Sequence, residues 1–428
     1  MLDLKFIREN IEAIRANCKN RNIFVELDKF SELDELRRKG IAKIEDLRHE
    51  QNENANAMKA KLSEEARRVL IDKGKDLKQR AVVAEEASKK AEDELDALVR
   101  RIPNMTHPDA PIAAGEDGNR EIRTWGEKRK FDFKPLDHVE IGERLSLIDF
   151  ESGAKVAGQK FYYLKNEAVL MEQALICFCL HLLRAEGFTP IMTPDLARAS
   201  ILDGIGFSPR GDETQIYSIA NSDLCLIATA EITLGGMMSG EIIPESDLPL
   251  KFVGVSHCFR TEAGAAGRES KGLYRVHQFT KVEMFAFTRP EDSEDMHSKF
   301  VGLEEKIFQG LKIPYRVVDI CTGDLGGPAY RKFDLEAWMP GRGEAGMWGE
   351  VTSTSNCTDY QSRRLGVKFR RENGKKTEFV HMLNGTAVAV SRVLIAILEN
   401  YQQKDGKVLV PDALRPYMGG VERIDGSK

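Results

Sequence analysis

The sequence predicts an α+β protein, with a long antiparallel helical hairpin ahead of a larger domain built round an antiparallel sheet. Three observations lead there. Residues 30–102 hold no proline and only Gly40 and Gly74 among abundant Glu, Lys, Arg, Ala and Leu, the strong helix formers. Pro103, Pro108 and Pro111 follow at once and mark a linker. Beyond them, strands paired by hairpins and helices gathered separately replace the regular alternation that a doubly wound parallel sheet requires.

Within the first region, Leu77, Ala81, Ala84, Ser88, Ala91, Leu95, Leu98 and Ile102 fall alternately four and three apart, a heptad seam. Phe30, Leu33, Ile41, Ile44, Leu47, Met58 and Leu62 form a less regular stripe, and a break near 62–74 folds the two helices together. At ~1.5 Å per residue, helices of about thirty residues make an arm on the order of 50 Å long. Its outer end carries Lys59, Lys61, Arg67, Arg68, Lys73, Lys75, Lys78 and Arg80 against Glu64, Glu65, Asp72 and Asp76. Such a basic end suits a phosphate backbone, although solvated charges on an ordinary coiled coil give the same pattern. Further on, a helix is expected at 168–184, strands near 252–262, 276–287, 314–321, 331–339 and 347–355, and a final helix at 386–401.

The chain has 428 residues, which at roughly 100–200 per domain means two or three domains. We divide it into residues 1–110, with the arm at about 30–102, and residues 111–428. With 42% apolar and 31% charged residues it reads as globular. No run of about 18 apolar residues stands out, so no membrane span is expected. The charged N-terminus does not read as a secretory signal, which points to the cytoplasm. The seven cysteines have no framework spacing and read as reduced thiols. The net charge of −5 means that any polyanion site is local.

The most informative stretch is Phe259-Arg260-Thr261-Glu262, which ends one alternating run and is followed by a Gly-rich charged segment and a return run, Val276 to Phe287. This reads as a hairpin with a long connection. Period two puts Arg260 and Glu262 on one face with Ser256 and Cys258, and Phe279 with Glu283 on one face of the return strand. With Arg268, Lys271 and Arg275 in the connection, the group suits a nucleoside triphosphate: guanidinium on phosphate, aromatic on base. A solvated sheet face also carries charges.

Three segments resemble, in order and spacing, the signatures of class II aminoacyl-tRNA synthetases. These are the 168–184 helix with Gly187 and the strand closing on Pro194, the Phe259–Glu262 hairpin, and Gly385 through Arg392. The resemblance narrows to the seryl-tRNA synthetases and covers essentially the whole chain. The segments responsible are the N-terminal hairpin, Thr229-Ala230-Glu231, Arg275-Val276-His277-Gln278-Phe279 ahead of Lys281-Val282-Glu283, Ser355 to Gln361, and Leu383-Asn384-Gly385-Thr386.

The resemblance implies a cytoplasmic homodimer, without membrane association, that activates L-serine with ATP and magnesium (Mg2+). Serine then passes from seryl-adenylate to the 3′ end of tRNA(Ser), with tRNA(Sec) left open as a second acceptor. Arg260, Glu350 and Arg392 would be catalytic. ATP would be bound by Arg260, Thr261, Glu262, Arg275, Val276, Phe279, Glu350, Val351, Thr352, Ser353 and Arg392. Arg260 would take the α-phosphate, Glu262 the adenine amino group and Phe279 the base, while Glu350 and Ser353 hold the metal. Serine would meet Thr229, Ala230, Glu231, Glu283, Asn384 and Thr386. The tRNA would be gripped by the eight basic residues of the arm, outside the anticodon and across the dimer. Ala387 and Ser391 replace frequent glycines of the third signature, so slight repositioning of the nucleotide is expected. Two rival readings are a paralogue that loads a small amino acid onto a carrier protein and a non-enzymatic tRNA-binding protein. The full arm and the absence of Cys from Thr229 to Glu231 argue against the first, and the intact charged set against the second.

Overall fold

The computed structural model describes residues 1–61, 63–207, 215–263, 272–372 and 374–426. Leu62, Arg268 and Lys271, used in the sequence reading, lie outside the described residues. The chain divides into two compact units, Met1–Pro103 and Asn104–Lys428. The division falls before the expected 110/111 boundary because residues 104–110 hydrogen-bond within the second unit: the Asn104 amide donates to Gly327 O at 2.9 Å and the His107 amide to Tyr330 O at 2.9 Å.

In the first unit, helix α1 (Leu27–Ala57) and helix α2 (Glu64–Arg101) pair as an antiparallel hairpin. The turn comes earlier than the expected 62–74. Ser63 caps α2 by accepting from the Ala66 amide at 3.2 Å, and Glu64 and Glu65 follow in the first turn, where the helix dipole favours acids. Gly74 therefore stays helical. A Cβ there would lie 3.2 Å from Asn54 Nδ2, and that amide crosses to Leu70 O at 3.0 Å.

The expected seam on α2 is present. Leu77, Ala81, Leu95 and Leu98 are buried and Ala84, Ser88 and Ala91 are half-buried. On α1, Phe30, Leu33 and Leu47 are buried, but Ile41 is 40% exposed and belongs to the solvent side. The helices approach closely at Gly40, where a Cβ would sit 2.9 Å from Ser88 Oγ. Replacing Gly40 with Leu should force the helices apart and destabilise the arm by about 1–3 kcal/mol, as overpacking does elsewhere. The expected readout is faster amide exchange along α1 and α2 with unchanged exchange in the second unit; unchanged exchange in the arm would refute this close approach.

The second unit is organised on one eight-stranded sheet. Its strands are β1 (Arg120–Trp125), β2 (Thr189–Met192), β3 (Leu250–Phe259), β4 (Gln278–Thr288), β5 (Tyr315–Asp319), β6 (Arg331–Met339), β7 (Met347–Asn356) and β8 (His381–Ala389). The spatial order is β1-β5-β6-β7-β8-β4-β3-β2, and only β2 and β3 run parallel. Helices α3 (Glu167–Ala185), α5 (Ser293–Gly310) and α6 (Val390–Tyr401) close one face and share the main core with Val282, Met284 and Ala286 of β4. A short helix, α4 (Ala230–Gly236), lies on the other face, where Phe285 and Phe287 of β4 and Met382 of β8 build a second core.

Two expectations need correction. The final helix starts at Val390, because 381–389 is a central strand; both of its faces are buried, so its sequence lacks the alternation that announces a half-exposed strand. Helix α3 is, by length and composition, apolar enough to cross a membrane, with a mean hydropathy of 1.6, although no such run was expected. Its buried residues Ala168, Met171, Leu175, Cys179 and Leu183 recur three or four apart, with Ala174 and Ile176 beside them, and join the main core, which accounts for one apolar face.

Candidate active site

One cleft opens over the polar half of the second sheet face. Glu283 lies directly opposite Thr386 on β8 and Gly254 on β3, and Asn384 faces Phe285. The odd-numbered side of β4 is thus charged at Lys281 and Glu283, beside the aromatic Phe279, and apolar at Phe285 and Phe287. Gly254 is required by its surroundings, since a Cβ there would meet Leu234 at 2.9 Å and Ala230 at 3.2 Å. Its absence lets α4 settle on the sheet. Thr229 caps that helix, accepting from the Glu231 amide at 3.2 Å, so this tripeptide also starts a helix.

Most of the predicted residues meet here: Thr229, Glu231, Arg260, Glu262, Arg275, Val276, Phe279, Glu283, Glu350, Val351, Thr352, Ser353, Asn384, Thr386 and Arg392 all line the cleft. Ala230 and Thr261 do not. Ala230 is fully buried where α4 packs on β3, and the Thr261 amide pairs with Gln215 O at 3.1 Å. Strand β3 ends at Phe259, so period two does not carry Glu262 into the cleft. A left-handed turn at Glu262, with φ of 52°, re-aims it instead, a conformation uncommon for a non-glycine residue. Ala387 points into the main core, whereas Ser391 lines the cleft. Only the second replacement in the third signature can therefore bear on a bound nucleotide directly.

Sequence reasoning missed Phe207, Tyr274, Lys281, Lys332 and Ala389. Lys281 had a signal, standing two residues before Glu283 on one strand face. Lys332 had none, because β6 reaches the cleft only through the strand order.

Charge in the cleft is closely paired. Lys281 bridges to Glu283, which also accepts from the Thr386 hydroxyl at 3.2 Å. Arg275 meets Glu262 at 3.4 Å, Arg392 meets Glu350 at 3.0 Å, and Lys332 meets Asp334 at 3.2 Å. Burial opposes ionisation of Glu350, but Arg392, Lys332 and Arg260 outweigh it and hold the carboxyl below its usual range. Burial also pushes Asp334 up, against the pull of Lys332. The Arg260 guanidinium stands 5.3 Å over the Phe279 ring, and its backbone is locked to His277 by contacts of 3.0 and 2.8 Å. His277, given no role from sequence, therefore sets the Arg260 backbone.

Glu231 is the exception. Among the described residues it has no cation at ion-pair distance. Gln361 Nε2 donates to its Oε1 at 2.7 Å and Asn384 Nδ2 to the same oxygen at 3.0 Å. Burial, then the charge of Glu283, pushes Glu231 up to about 7 despite these donors. One oxygen is saturated by amides; the other has no partner among the described residues. A carboxylate held this way is prepared for a cationic group.

The sheet, its helices and this cleft define a class II aminoacyl-tRNA synthetase core, and residues 216–401 match the family model described as the tRNA synthetase class II core domain (G, H, P, S and T). Residues 1–106 match the seryl-tRNA synthetase N-terminal domain. Proteins named Serine–tRNA ligase from Treponema denticola and Rubrobacter xylanophilus are 55% and 56% identical over 419 residues, 98% of this chain and 99% and 98% of theirs. Among solved structures, seryl-tRNA synthetase from Pyrococcus horikoshii complexed with ATP superposes with a TM-score of 0.92 at 42% identity, covering 100% of both chains. The cytoplasmic enzyme from Naegleria fowleri in complex with AMP gives 0.87 at 36%, covering 100% of this chain and 99% of its own. The chain belongs to the seryl-tRNA synthetase family and is an aminoacyl-tRNA ligase.

Proposed function

We propose that this protein joins L-serine to ATP as seryl-adenylate and then passes serine to the terminal ribose of tRNA(Ser). The observation that carries the reading is the pair of carboxylates with opposite partners. Among the described residues Glu231 has no cation at ion-pair distance, and it is suited to the substrate ammonium. Glu283, already neutralised by Lys281 and bonded to Thr386, is suited to the serine hydroxyl. Alanine would leave Glu283 and Thr386 without that partner, the kind of mismatch that discriminates strongly.

The serine carboxylate attacks the α-phosphorus of ATP, the bond to the bridging oxygen breaks, and diphosphate leaves. No covalent enzyme intermediate is needed, so positioning and charge neutralisation supply the catalysis. Arg260 stabilises charge on the α-phosphate and Phe279 stacks the adenine, with Glu262 and Val276 on its edge. Arg275 and Arg392 take the outer phosphates. The Arg392 contact with Glu350 would loosen as phosphate replaces the carboxylate.

Among the described residues no group of three or more His, Cys, Asp or Glu could hold a metal alone. Glu350 and Ser353 nevertheless fit magnesium, a hard cation bound through one or two carboxylates plus substrate phosphates. They would hold it beside Val351 and Thr352, where it neutralises phosphate charge when bound. The tRNA would be held by Lys59, Lys61, Arg67, Arg68, Lys73, Lys75, Lys78 and Arg80, all exposed. Exposed Val169 and Leu170 on α3, at 43% and 46%, support a homodimer formed through that helix. A cytoplasmic location completes the proposal, with tRNA(Sec) left open as a second acceptor.

Exchange of labelled diphosphate into ATP should depend on serine, and Thr386→Val should lower kcat/KM for serine by about tenfold to a hundredfold, the worth of a hydrogen bond to a charged group. Exchange driven equally by alanine would sink the assignment. Because Glu231 must be ionised to receive the ammonium and its carboxyl sits at about 7, serine kcat/KM should fall as pH drops through that value. Glu231→Gln should flatten this limb, and an unchanged limb would remove Glu231 from the role. Replacing Lys59, Lys61, Arg67 and Arg68 with Ala should leave exchange intact, weaken aminoacylation and reduce the salt slope of tRNA binding by about 0.7–0.9 for each phosphate that no longer has its cation; equal loss of both activities would contradict the division of labour.

A further inference from the structure

A buried carboxylate outside the cleft has no part in the mechanism above. Glu399 on α6 is fully buried. Its Oε1 accepts from the His138 amide at 3.1 Å and meets His138 Nδ1 at 3.1 Å, while Oε2 accepts from the Gly341 amide at 2.9 Å. His138 Nε2 in turn stands 3.1 Å from the Leu273 amide. A backbone N–H can only donate, so Nε2 accepts, and the ring proton lies on Nδ1, pointing at Glu399.

Both arms of this network converge on Tyr274. One runs through Leu273, its chain neighbour; the other runs through Gly341 to Arg342, whose guanidinium is 4.1 Å from the Tyr274 ring centroid. Arg392 lies seven positions before Glu399, about two turns along the same helix face. It donates to Tyr274 O at 3.4 Å and covers the ring at 4.7 Å. At Gly272, with φ of 72°, a Cβ would fall 2.0 Å from His138 Nε2, so the backbone lies against the imidazole as closely as glycine permits. Tyr274 and Arg275 both line the cleft.

We propose that Glu399 and His138 are positioning residues for the nucleotide, holding Leu273 and Arg342 on either side of Tyr274 and so setting the end of the cleft that Tyr274 and Arg275 form. The inference rests on the reading of that cleft as the ATP site. Its basis is a path of defined contacts, not proximity alone: its hydrogen bonds run to backbone amides or a fixed ring nitrogen, and one arm closes with the Arg342 guanidinium on the Tyr274 ring.

The test is calorimetric titration of the full chain with magnesium-ATP, without serine, alongside diphosphate exchange. His138→Ala should weaken ATP binding about tenfold, the worth of one hydrogen bond with its orphaned donor, and raise KM for ATP while KM for serine stays unchanged. His138→Gln, whose side-chain oxygen can reach the Leu273 amide, should restore most of the affinity. If the Ala variant does not fold, His138→Asn can keep its bond to Glu399 but not reach Leu273, and the same ATP-specific loss is expected. Unchanged ATP affinity in a folded variant, parallel rises in both KM values, or no recovery with Gln would overturn the proposal. ATP binding without serine-dependent exchange in the wild type would instead count against the proposed activity and leave the positioning role to be read from calorimetry alone.

Discussion

The seating of Glu283 between Gly254 and Thr386 is the constraint on which the cleft depends. Strand β4 is central in the sheet, and the face bearing Val282, Met284 and Ala286 is committed to the main core. Its other face must then hold whatever the alternate positions supply. One half supplies Phe285 and Phe287, which pack; the other supplies Phe279, Lys281 and Glu283, whose charges cannot be buried without partners. The cleft is where the sheet stops being able to close over itself.

Electrostatic pairing keeps that half folded. A buried carboxylate is tolerated when a cation and hydrogen-bond donors compensate its lost hydration. Glu262 and Glu283 each have such a cation, and the half-exposed Glu350 has Arg392. Glu231 has two amides instead, and burial lifts it to about 7. The uncompensated position is the one where a cationic substrate group gains most, so under the proposed function the distribution of partners divides the cleft into an amino-acid end and a phosphate end. Helix α6 supports the second of these twice, through Arg392 and through Glu399. Removing either would relax the same tyrosine from a different side.

Much was legible in the chain itself. The arm's helices, the α2 seam, helix α3 and the strands at β3 to β7 announce themselves because each buries one face and so shows its period. Strand β8 and the start of α6 did not, since 381–389 is buried on both faces and loses alternation. The turn of the arm was misplaced because Gly74 looks like a breaker until Asn54 is seen against it. Of the site residues, Ala230 and Thr261 belong to short motifs whose neighbours face the cleft, and a motif read as a string cannot tell which of its members turn away. Tyr274 stands just ahead of the quoted Arg275–Phe279 segment, and Lys332 lies in a segment with no motif.

What the sequence by itself determined is the inventory: a basic-ended helical arm, an antiparallel α+β domain, and Arg260, Glu262, Phe279, Glu283, Glu350 and Arg392 as its charged and aromatic site. These follow from periodicity and motif order, which are local. What only the tertiary structure decided is pairing: that Thr386 bonds Glu283, that Gln361 and Asn384 orient Glu231, and that Glu399 reaches Leu273 through His138. Most of these pairs join residues from different elements of the unit, far apart in the chain, and they depend on strand order and helix placement, which no local pattern encodes.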